Sequence, residues 1–176
     1  TKIESSLAGM LNALVPLFTL LIGILLFNIK STSKKIIGVL VGFLGSLAII
    51  SQNGSNPLES ENMSYGAFVI LATICYGMGA NILKNHLSSF PAVQITSLVF
   101  IVIGPLSGLY LTQTDVLEQV MNSKDALASL GYIFILSFMG TAFALVMFNK
   151  LIQTTSALFA SMVTYLIPGF AIFWGV

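Results

Sequence analysis

The chain has no arginine, one cysteine, one histidine and one tryptophan among 176 residues, and only 7% of its side chains are charged. Each scarcity excludes something. A soluble domain carries roughly 25% charged residues, so a water-facing surface cannot be assembled here. A net charge of +1 without arginine gives nucleic acid nothing to hold. The single Cys75 rules out an intrachain disulfide and a cysteine metal cluster, and it reads as a small packing residue in an apolar run. His86 sits beside Lys84 in a polar loop and reads as a solvated residue. No Asp or Glu falls inside an apolar run, so zinc, aspartyl or serine–histidine hydrolysis within lipid lacks its groups. No metal or cofactor is expected.

What the chain does have is hydrocarbon. Hydrophobic residues make up 56%, and the mean hydropathy is +0.98. The class is an integral membrane protein. A bilayer core needs about 20 apolar helical residues, and six segments meet or approach that length: Leu7–Phe27, Ile36–Ser51, Tyr65–Leu83, Ala92–Leu111, Leu127–Phe148 and Ala157–Val176. The opening stretch lacks the basic start and cleavage site of a signal peptide. The apolar ending, with no charged flank, predicts that the chain is a fragment cut at both ends.

Charge sorts the connections. The alternate loops 28–35, 84–91 and 149–156 hold Lys30, Lys34, Lys35, Lys84 and Lys150 and no acid. The other connections, with the N-terminal end, hold all six acids along with Lys2 and Lys124. The positive-inside bias therefore places the lysine loops in the cytoplasm.

Two stretches then echo each other. Ser5–Ile24 and Ala157–Val176, offset by 152 residues, align Met10 with Met162, Leu14 with Leu166, Pro16 with Pro168 and Phe18 with Phe170. The first runs outside to inside and the sixth span inside to outside, so the copies are expected to be antiparallel. Inverted repeats with broken helices are the architecture of secondary transporters.

Candidate residues follow from polarity within the spans. Proline clashes with the carbonyl four residues earlier, which makes Asn12 (before Pro16) and Thr164 (before Pro168) either repairs of a helix break or walls of a shared cavity. Tyr76 and Asn81 flank Gly77 and Gly79, a pattern that fits a substrate path or close helix packing. Thr141 follows Gly140 in mid-span, where a threonine usually bonds back to its own helix. Tyr165 and Trp174 offer aromatic surface, Trp174 more as an interfacial anchor. Gln94 and Thr96 fall near the cytoplasmic end of the fourth span. Gly38-x-x-x-Gly42, Gly104-x-x-x-Gly108 and Gly140-x-x-x-Ala144 predict close helix contacts. Asp115-x-x-Glu118 predicts a short interfacial loop helix.

The run SSLAGMLNALVPLFTLLIGILLF, a short basic loop and KKIIGVLVGFLGSLAII resembles the end of an EamA-type five-helix repeat. MGTAFALVMFNKLIQTTSALFASMVTYLIPGFAIFWG is similar to the same region of a second repeat. The resemblance is to the drug/metabolite transporter superfamily and covers essentially the whole chain. Its specific part is the pair of proline helices and their spacing. It implies an all-α, multi-pass bundle of two inverted five-helix repeats, of which this chain carries helices four to nine of ten. Residues 1–51 would then end the first repeat, 52–64 form an extracytoplasmic linker, and 65–176 begin the second. It also implies that helices four, six, eight and nine line a central cavity, with Asn12, Tyr76, Asn81, Thr141, Thr164 and Tyr165 as the cavity candidates. One departure stands at Ile29, where many members carry a glutamate.

The expected function is export of a small organic solute (an amino acid, an amine or similar) by alternating access in a bacterial inner membrane. The expected partners are that solute and the bilayer, with a homodimer left open. A membrane enzyme acting on lipid-linked substrates, with its catalytic residues elsewhere, is the alternative. A scaffold subunit is a third.

Overall fold

The computed structural model describes residues 11–51, 63–114, 116, 120, 126–167, 170 and 173. Among these every regular element is helical. α1 spans Val15–Phe27, α2 Ser33–Ser51, α3 Met63–His86 and α4 Ala92–Leu111. α5 (Ala126–Ile135) passes through a π-helical stretch, Leu136–Phe143, into α6 (Ala144–Thr154). α7 (Ala157–Ser161) tightens into a 3₁₀ turn, Met162–Tyr165. The protein is a multi-pass helical bundle. Hydrocarbon cannot satisfy backbone polar groups, and a helix satisfies them within one segment.

Among the described residues, three stretches are long and apolar enough to cross a bilayer: Gly66–His86, Ala92–Leu111 and Ala128–Thr154. They match the third, fourth and fifth expected spans. Two run past the apolar segment, so that Lys84 and Lys150 ride on helix ends rather than in loops. α2, at 19 residues, is about 28 Å long at about 1.5 Å per residue. In the first expected span Leu11 and Asn12 are helical, Ala13–Leu14 form a turn, and α1 resumes at Val15. Trp174 and Pro168 lie outside the described residues, as do most of the expected 115–121 loop helix and of the 52–64 linker.

The chain forms two compact units. One comprises residues 1–86 with 155–176 and the other residues 87–154. In the first unit α1 packs most extensively on α3, and α7 contacts both. In the second, α4 packs on α6. Buried Asn149 donates from Nδ2 to the Thr96 hydroxyl at 3.0 Å. Thr96, expected near the interface, is thus a buried helix-to-helix contact. Gln153 donates to the Phe90 carbonyl at 2.8 Å and ties the 87–91 turn to α6.

Apolar surface dominates the outside. α4 buries only Ala92 and Thr96 and leaves Leu98, Ile101, Val102 and Leu106 exposed. Water would penalise such a surface, whereas lipid tails do not.

Of the expected glycine patterns, Gly42 makes a close approach and the other glycines make none. Among the described residues, a Cβ at Gly38, Gly45, Gly104 or Gly108 would meet nothing within 4 Å, and at Gly140 only the Leu136 side chain. The close approaches are at Gly77, Gly42 and Gly23. A small residue permits contact, but the surface opposite decides where contact forms: backbone at Gly77, the Tyr165 ring at Gly42.

Candidate functional site

The echo in sequence returns as an echo in backbone geometry. In the first copy the Leu14 amide donates to Leu11 O at 3.1 Å, and Phe18 to Leu14 O at 3.0 Å. In the second, Leu166 donates to Val163 O at 3.0 Å, and Phe170 to Leu166 O at 3.0 Å. These are the same positions shifted by 152 residues. Each copy therefore interrupts its helix with a three-residue closure and restarts just beyond it. Pro16 falls in the first turn of α1, where its missing amide costs nothing, and it is buried.

Asn12 and Thr164 take equivalent places beside these closures. Asn12 is exposed, while Thr164 is half-buried and donates to Ser161 O at 2.9 Å. Tyr165 reaches across to α2. Its hydroxyl donates to Val39 O at 3.1 Å, and its ring fills the space beside Gly42, where an added Cβ would come within 2.6 Å of Cε2.

The seam between α1 and α3 has no room to spare. A Cβ at Gly77 would sit 2.9 Å from the Thr19 amide nitrogen. One turn on, Asn81 is 1% exposed and donates from Nδ2 to the carbonyls of Thr19 and Gly77, both at 2.9 Å. An amide nitrogen has two protons, so its donor capacity is fully used. Tyr76, next to Gly77, is exposed. Thr141 is exposed and belongs to the second unit, within the π-helical stretch that ends where the Ala144 amide reaches Met139 O.

A cavity of about 210 Å³ opens in the first unit where the lysine-bearing segments meet. The turn after α1 contributes Lys30 and Ser31, α2 contributes Lys35, α3 contributes Asn81 and Lys84, and the start of α7 contributes Ser156. Of the six cavity candidates, Asn81 is the one that lines it. The turn is shaped by Asn28, which caps α1 in a left-handed conformation (φ 50°, ψ 33°) while the Ile29 amide donates to Gly23 O at 2.9 Å. Asparagine is among the few side chains that adopt this conformation readily.

The EamA-like transporter family model matches residues 63–176, well over half of the chain. The chain belongs to the EamA-like transporter family. Comparison with curated proteins and with solved structures gave no match.

For an EamA-like chain, membership accounts for the coarse architecture and leaves the cavity to its own residues. Sequence reasoning named Lys30 and Lys35 only for their charge, not as site residues, and did not name Ser31 or Thr19. The available signal was that 28–35, 84–91 and 149–156 carry lysines and no acid. A charge bias of this kind predicts a side of the membrane and carries no information on which segments converge.

Proposed function

We propose that this protein carries a small organic solute across a membrane by alternating access, with two inverted repeats moving about a site near the bilayer midplane. The observation that carries this reading is the duplicated helix closure, Leu14–Leu11 and Leu166–Val163, in a chain of the EamA-like family. A helix interrupted near mid-membrane exposes backbone groups that only protein or a lined cavity can satisfy. Two such interruptions, related by one offset, are what an internally duplicated carrier would retain.

In this reading residues 1–51 close the first repeat and 65–176 open the second. Asn12, Tyr76, Asn81, Thr141, Thr164 and Tyr165 supply polar and aromatic walls. These groups are neutral, which suits an amino acid, an amine or a similar solute moved outward across a bacterial inner membrane. No intramembrane carboxylate supports proton coupling from within these spans.

The test is solute flux in the full-length protein. Asn12→Leu and Thr164→Leu are each expected to lower efflux at unchanged membrane expression. Equal flux in both variants would remove the two closures from the transport path.

A further inference from the structure

We propose that the pocket bounded by Lys30, Lys35 and Lys84 binds a phosphate group, carried either by an anionic lipid headgroup or by a soluble phosphorylated solute. The positive-inside bias explains lysines in these segments, but it does not explain why three of them line one cavity. None of the residues lining that cavity is acidic.

A second observation is independent of charge. Ser31 lines the same cavity, and its hydroxyl oxygen is buried with no hydrogen-bond partner among the described residues. Buried polar atoms are almost always partnered, and an orphan one calls for a specific explanation. An oxyanion in the cavity would accept from that hydroxyl and from the ammonium groups around it.

The donor set favours phosphate over carboxylate. Arginine, whose fork grips carboxylate and phosphate alike, is absent from this chain. Lysine acts as a point charge. Lys30 and Ser31 come from the turn after α1, Lys35 from α2 and Lys84 from α3, so the donors arrive from separate directions, as a tetrahedral group requires. The volume, about 210 Å³, exceeds by several-fold the roughly 30 Å³ that one water occupies. Basic pockets between transmembrane helices on the cytoplasmic side are suited to phosphate-bearing head groups. The inference stands apart from the transport reading, because it concerns binding and needs no solute movement.

The experiment uses the full-length protein in phosphatidylcholine vesicles with and without phosphatidylglycerol, and in detergent with inorganic phosphate or glycerol phosphate. Native mass spectrometry counts retained lipid, and thermal shift reads the soluble anions. Wild type is expected to retain phosphatidylglycerol over phosphatidylcholine, or to be stabilised by the soluble phosphates. The arm that responds identifies the source. Lys30→Gln/Lys35→Gln should weaken that response about tenfold or more, the equivalent of one lost charge-assisted hydrogen bond, and Ser31→Ala should weaken it less. If the double variant does not fold, Lys30→Gln and Ser31→Ala are compared singly by the same readout. Wild type indifferent to both anions would overturn the proposal, as would variants that bind like wild type.

Discussion

At the residue scale, Asn28 sets the path of the chain into the lysine-bearing turn. Its left-handed backbone (φ 50°) is the only positive φ at a non-glycine among the described residues. Bulkier side chains pay roughly 1–2 kcal/mol there, and glycine pays nothing. Asn28→Gly should therefore leave the thermal unfolding midpoint unchanged or slightly raised. Asn28→Ile should lower it by an amount corresponding to about 1 kcal/mol or more. Equal midpoints would mean that the turn is not held in this conformation. Asn81 and Tyr165 show what can be seen in a sequence at this scale. Both stand out as polar or aromatic groups inside apolar runs. Their partners, the carbonyls of Thr19 and Val39, lie 62 and 126 positions away, and no local pattern points to them.

At the element scale, helix contacts are decided by where a backbone can approach. Gly77 rests on the Thr19 amide, whereas a Cβ at Gly79 would meet nothing within 4 Å. Two substitutions in one helix thus have opposite expected signs. Gly77→Ala should destabilise by about 1–3 kcal/mol through overpacking against backbone. Gly79→Ala should be neutral or stabilising by up to about 1 kcal/mol through helix propensity. Thermal unfolding of the two variants in detergent checks this, and similar midpoints would contradict the seam. The sequence pattern YGMGAN raised both possibilities, packing and a substrate path, without separating the two glycines. The spans themselves were legible because hydropathy acts along the chain. The π-helical stretch Leu136–Phe143 was not, since its eight residues contain no proline and read as ordinary apolar helix. The expected contacts of Gly104 and Gly108 failed for a related reason. Small size is written in the sequence, but the opposing surface is not.

At the scale of the whole molecule, the repeat joins sequence to backbone geometry. The sequence repeat relates Ser5–Ile24 and Ala157–Val176 by one offset of 152 residues. The closures at Leu14 and Leu166 reproduce that relation in hydrogen bonds of nearly equal length. What the linear pattern could not show was the meeting of Lys30, Lys35 and Lys84 at one cavity, because charge bias reports only the side of the membrane. The central claim is that the two copies cross the bilayer in opposite senses, and it is tested most directly by cysteine accessibility. Single cysteines replace Lys30, Lys150 and Glu59 in the full-length protein, with Cys75, which is exposed, changed to serine. An impermeant thiol reagent applied to cells and to inverted vesicles reads the side of each. Positions 30 and 150 should react only from the cytoplasmic face and position 59 only from the other. Positions 30 and 150 reacting from opposite faces would contradict the inverted duplication.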